Sequence, residues 1–159
     1  MSDREVGGAA EAAAAVIPGS RAMLAVIARS LSPLHGQVTV PQFRILVILA
    51  DSNVALRSGD LAKALDVHPS TLVRMADRLV ARGLIRRSEN SASRRETLIE
   101  LEPAGLDVVR TVTRRRQRDL RRILERMTSG ERAAFVDAMQ SFTRAAAADA
   151  DADLTSFGL

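Results

Sequence analysis

Four polar side chains stand out for what they could do together. Ser70, Thr71, Arg74 and Arg78 fall at i, i+1, i+4 and i+8 of a segment whose apolar residues, Leu72, Met75 and Leu79, recur at helical spacing. On a helix the polar set gathers on the side away from that stripe. A guanidinium such as Arg74 can fork onto guanine O6 and N7, and short hydroxyls such as Ser70 and Thr71 can donate to base edges or phosphates. The free N–H groups of the helix's first turn favour an anion. An ordinary core helix with a solvated arginine face would look the same, so a second group of residues carries weight. Arg86, Arg87, Arg94 and Arg95 bracket a polar tip, residues 88–93. Apolar residues on either side (Leu84, Ile85, then Leu98, Ile99, Leu101) make this a β-hairpin pattern. Arginine at such a tip suits a narrow minor groove.

Other chemistries find little to work with. There is no cysteine, which removes disulfides, thiolate nucleophiles and Cys-ligated zinc. The two histidines, His35 and His68, cannot make an all-His metal site. No phosphate-binding loop and no Ser-His-Asp or Cys-His constellation is present. The expectation is a protein that is not an enzyme, with no cofactor and no metal. Charge is distributed unevenly: residues 57–126 hold 17 basic and 10 acidic side chains, whereas residues 127–159 hold 2 and 5. A basic middle points to a polyanionic partner. No stretch of about 18 uncharged apolar residues occurs, and no cationic segment precedes an apolar one at the N-terminus. Both observations lead to the expectation of a cytoplasmic chain without a membrane partner.

The elements that must position the arginines follow from periodicity and breakers. Residues 1–18, Ala- and Gly-rich and ending at Pro18, read as a loose arm or a frayed helix start. Residues 20–32 carry Met23, Leu24, Ile27, Ala28 and Leu31 at helical spacing. Residues 41–50 are apolar on most faces, the mark of a buried helix, with Thr39 as its cap or Pro41 in its first turn. A short strand is expected near residues 54–56. A helix over 59–65 follows, capped by Ser58, then a tight turn and a helix over 69–82 that Gly83 stops. After the hairpin comes a long helix from Pro103 to about Met127, then a last one from Ser129 to about Ala148 with the stripe Phe135, Val136, Met139, Phe142.

Residues 41–105 resemble the winged-helix core of the MarR (multiple antibiotic resistance regulator) family. The segments carrying the resemblance are LAKAL (61–65), HPSTLVRMADRLVARGLIRR (68–87), and the arginine pair at 94–95 leading to EPAG (102–105). The resemblance implies a mainly α fold with a small β-wing, a winged helix-turn-helix on a helical dimerisation platform. It implies three parts: an N-terminal arm and dimerisation helix (1–38), the DNA-binding domain (39–102) and C-terminal dimerisation helices (103–159). Ser70, Thr71 and Arg74 would face the major groove, and Arg94 and Arg95 the minor groove. Arg78, His68 and Arg86 would touch the DNA backbone or serve structure, Arg78 by pairing with a nearby acid and His68 as a partly packed turn residue. Two departures stand out: Ser93 occupies a position usually held by an Asp that orients the wing arginine, and His68 one often held by Ser.

Family members typically act as homodimers on pseudo-palindromic operators, most often as repressors released by small aromatic or anionic effectors. The partners implied are double-stranded DNA, a second copy of the chain and such an effector, with His35 and Phe43 at the pocket between platform and reading domain. The rival reading is a dimeric winged-helix protein that has lost DNA binding and serves as a scaffold or small-molecule-binding protein.

Overall fold

The apolar periodicity becomes a layered set of helices around one small sheet. The computed structural model describes residues 8–34, 37–90 and 93–150. In chain order the elements are α1 (Ala9–Leu31), a 3-10 turn (Ser32–Leu34), α2 (Val40–Ser52), β1 (Leu56–Arg57), α3 (Ser58–Ala64), α4 (Pro69–Val80), β2 (Ile85–Asn90), β3 (Ser93–Leu101), α5 (Pro103–Leu124) and α6 (Ser129–Ala150). The sheet is antiparallel in the order β1-β3-β2. Its register sets Leu56 opposite Ile99, Ile85 opposite Leu101 and Arg86 opposite Glu100. This is the mainly α, winged helix-turn-helix fold that the sequence predicts.

The main core gathers Ile45, Leu46 and Leu49 of α2, Leu61 and Ala62 of α3, Leu72, Ala76 and Leu79 of α4, and Ile85 and Ile99 of the sheet. Burying each of the larger side chains contributes about 1.5–3 kcal/mol. One face of the helix-turn-helix is thereby committed, and the opposite face of α4 is left to solvent. A second cluster, Leu34, Phe43 and Val112 with Leu31 and Val109 against it, joins α1, α2 and α5. On α6 the apolar stripe does not enter either cluster: Phe135, Val136, Met139 and Phe142 are all exposed.

Local chemistry fixes the element ends. At α2 the Thr39 hydroxyl accepts from the Gln42 amide (3.4 Å), while the Gln42 carboxamide oxygen accepts from the Thr39 amide (3.0 Å), a reciprocal capping box. Thr128 plays this part for α6. Its amide and hydroxyl both donate to Glu131 (2.8 Å each), and these bonds hold the Glu131 carboxyl below its ordinary range. After α4, Gly83 adopts φ +66°, and the Leu84 amide reaches back to the Leu79 carbonyl (3.0 Å), the bond pattern of a glycine-terminated helix. Gly105 is required for a different reason. A Cβ there would stand 2.2 Å from the Leu84 carbonyl oxygen, so only glycine lets α5 lie against the base of the wing.

The N-terminal segment departs from expectation. The helix begins at Ala9 and continues through Pro18. Strong helix formers on the N-terminal side of the proline sustain it, and Pro removes only one hydrogen bond of the ladder. By length and composition α1 also resembles a membrane-spanning helix, although Arg21 and Arg29 interrupt it. Here it packs against α5, buries Val26 and Ser30, and forms an ion pair from Arg29 to Asp119 (3.7 Å). Ser58 is the first residue of α3 rather than its cap.

Candidate nucleic-acid interface

Helix α4, whose outer face the sequence marks as a DNA reader, starts from a histidine. His68 is its N-cap: Nδ1 accepts from the Ser70 amide (3.3 Å) and lies 2.8 Å from the Ser70 hydroxyl. The residue is exposed, so the expected packed turn histidine gives way to a solvent-facing cap. With Nδ1 accepting, the neutral ring carries its proton on Nε2, a donor open to an anion. Pro69 occupies the first helical position, where its missing N–H costs nothing.

Beyond the cap, α4 divides into two faces. Leu72, Ala76 and Leu79 are buried, whereas Ser70, Val73, Arg74, Asp77 and Arg78 are exposed and Thr71 is half-buried. Among the described residues neither Arg74 nor Arg78 has an ion-pair or hydrogen-bond partner. The acid expected beside Arg78 is not found there. Arg78 instead borders a recess of about 310 Å³ with Arg82, Gln37 and Thr39. Arg74 and Arg78 therefore present charge that the fold itself does not use.

The two wing arginines of β2 are engaged. Arg86 pairs with Glu100 directly across the ladder and with Glu102 (3.2 Å), which ties the two strands of the wing together. Arg87 turns back to α4, donating to the Asp77 carboxylate (2.5 Å) and to the Val73 carbonyl (2.9 Å). Wing and α4 are thus joined by one guanidinium. Periodicity does not reveal this latch; the available signal is an acid, Asp77, on the outer face of α4 ten residues before an arginine. Arg94 and Arg95 lie on β3, near the hairpin end. Their side chains, and that of Ser93, lie outside the described residues.

A second feature sits where α1, α2 and α5 meet. A cleft of about 170 Å³ is lined by Leu31, Phe43, Arg44, Asp51, Thr113 and Arg116, among others. Phe43 is both core and wall, since it is buried in the second cluster while bordering the cleft. The Arg116 Nε is buried without a hydrogen-bond partner, and burial lowers the pKa of its guanidinium. His35, the other residue expected at this junction, lies outside the described residues. Among the described residues no group of three or more His, Asp or Glu side chains is placed to hold a metal.

Comparison with known proteins gives this geometry a family. Residues 38–97 match the profile of the MarR family. The multiple antibiotic resistance protein MarR of Salmonella typhimurium is 30% identical over 107 residues, covering 67% of this chain and 72% of that protein. The chain belongs to the MarR family. Solved structures of MarR-type fold extend the match across the flanking helices. RV1404 from Mycobacterium tuberculosis superimposes with a TM-score of 0.82 at 39% identity, over 91% of this chain and 98% of that one. A MepR mutant from S. aureus, solved bound to an oligodeoxyribonucleotide, shares the fold with a TM-score of 0.66 at 20% identity, over 84% and 96% of the two chains. As a MarR-family chain it has the fold of a transcription regulator, with β2–β3 as the wing.

Proposed function

We propose that the chain is a sequence-specific DNA-binding transcription regulator that acts as a homodimer, with residues 39–102 as the reading domain and the flanking segments as the platform. The observation that carries this reading is the free face of α4. Its inner side is fixed in the core, and its outer side presents Ser70, Arg74 and Arg78 with both guanidiniums uncommitted. Such a helix fits a major groove, its N-terminal half against base edges. His68 and Arg78 then fall to phosphates, and Arg94 and Arg95 to the flanking minor groove. Arg86, held by two carboxylates, serves the wing. Dimerisation is supported by the exposed apolar residues of α1 (Val16, Ile17, Leu24) and α6. The work is binding rather than catalysis.

The test is DNA binding by the full-length protein, with duplexes from upstream of its own gene, set against random duplex. Arg74→Ala should lose about 1–3 kcal/mol on the specific site and relax base preference there. Parent-like discrimination by that variant would end the assignment. A salt titration counts the phosphate contacts.

The cleft at the α1, α2 and α5 junction supports a regulatory ligand. A half-buried arginine with an unsatisfied Nε next to Phe43 suits a small aromatic anion such as a carboxylate. Ligand binding would act through unequal affinity for DNA-competent and incompetent arrangements. Arg116→Gln should abolish release of DNA by such a ligand while leaving DNA affinity in its absence within about twofold. Undiminished release by the variant in the same binding assay would remove the cleft from the mechanism.

A further inference from the structure

The outer face of α4 holds one residue that neither charge nor core packing explains. Val73 is 47% exposed and belongs to neither apolar cluster. It sits between Ser70, one turn before it, and Asp77, one turn after, next to Arg74. Valine is a poorer helix former than alanine or the long unbranched residues, so an open helical position does not select it. The other exposed aliphatic side chains of the helices lie on α1, at the start of α2, at the last residue of α4, or on α5 and α6.

Two polar groups beside Val73, its own carbonyl and the Asp77 carboxylate, are already occupied. Arg87 donates to the Val73 carbonyl at 2.9 Å and to the Asp77 carboxylate at 2.5 Å. The neutralised carboxylate removes the charge that would oppose DNA on this side of the helix. What remains for a base edge there is an isopropyl group, held by a backbone clamp and stiff at χ1. In the major groove each base edge offers nitrogen and oxygen donors and acceptors, and thymine alone of the four bases adds an apolar group, the C5 methyl.

We propose that Val73 is a specificity-determining residue of the reading helix, packing on the C5 methyl of a thymine in each half-site while Arg74 reads by hydrogen bonds. This rests on the DNA-binding reading above. The experiment begins by selecting a preferred site from random duplex DNA with the full-length parent. Each thymine of that site is then replaced by deoxyuridine, which deletes the methyl and keeps the base pair. One symmetry-related pair of replacements should weaken the parent by about fourfold per half-site, the effect of exposing one methyl-sized group. Val73→Ala should weaken binding to the all-thymine site by a similar factor and show no further loss with deoxyuridine at that pair. Arg74→Ala should keep the deoxyuridine penalty. Alanine favours the helix, and a parent-like circular dichroism spectrum verifies the fold. If no thymine is sensitive, or if Val73→Ala keeps every penalty of the parent, the inference is overturned while DNA binding stands. If the parent enriches no sequence at all, the DNA-binding reading has failed and Val73 has no base to read.

Discussion

In the winged-helix unit Ile45, Leu46, Leu61, Leu72, Leu79 and Ile99 are all but inaccessible, whereas on α6 Phe135, Val136, Met139 and Phe142 leave between 37% and 62% of their surface open. Both regions are helical and both repeat apolar residues at helical spacing. They differ in whether one chain supplies the opposing surface. Around α2, α3 and α4 the sheet and neighbouring helices close over every stripe. Along α6 no element among the described residues does so, and a row of large apolar side chains left in water is a standing drive for association. Periodicity identifies an amphipathic helix equally well in either region; it does not say which molecule covers it.

That contrast can be broken most directly with a pair of truncations. Leu61→Ala empties a site in the closed core and should cost about 2–5 kcal/mol in urea unfolding. Phe142→Ala should leave the fold of the reading unit intact and weaken self-association by about tenfold or more, read by sedimentation across concentration. A loss of stability from Phe142→Ala that matches Leu61→Ala and ignores concentration would erase the distinction.

A glycine pair sharpens the comparison at lower cost. Gly105→Ala forces a methyl into the Leu84 carbonyl and should destabilise by about 1–3 kcal/mol. Gly130→Ala, on α6, meets nothing within 4 Å and should stay within about 0.5 kcal/mol of the parent by thermal melting. Equal effects would mean that the α5–wing contact is not as tight as the geometry says.

A small change in stability is expected at the latch between wing and helix. Arg87→Ala breaks bonds to Asp77 and Val73 on a partly exposed side chain, so unfolding should shift by less than about 1 kcal/mol. DNA affinity should fall several-fold, since the wing is no longer tied to α4. Asp77→Asn combined with Arg87→Ala should add little to the single loss, the signature of a shared contact. Full additivity in binding measurements would show that the two residues act separately.

Much of this molecule is legible in its residues. The α3-turn-α4 unit, the Gly83 stop, the buried α2 and the hairpin all follow from spacing and breakers, because each is decided within a few residues of chain. Three features are not. Residues 1–18 read as a loose arm or a frayed helix start that ends at Pro18, yet flanking helix formers carry α1 through that proline. The role of Arg87 depends on β2 folding back beside α4, a long-range fact that the adjacent Arg86 obscures by carrying the same charge to the opposite partners. Val73 lies among residues of the stripe Leu72, Met75 and Leu79, and only the observed orientation of α4 separates it from them.

The contact at Gly105 has a mechanical meaning. With the start of α5 seated directly on the carbonyl of Leu84, the end of α4, the root of the wing and the first turn of α5 share one solid joint. From that joint α5 extends 22 residues, a rod of about 33 Å. A lever of that length converts a tilt of about ten degrees into a displacement of about 6 Å at its far end, on the scale of one helical turn. In the proposed dimer, small adjustments in how two such rods cross would therefore re-aim the outer face of α4 and the wing as a unit, without any deformation inside it.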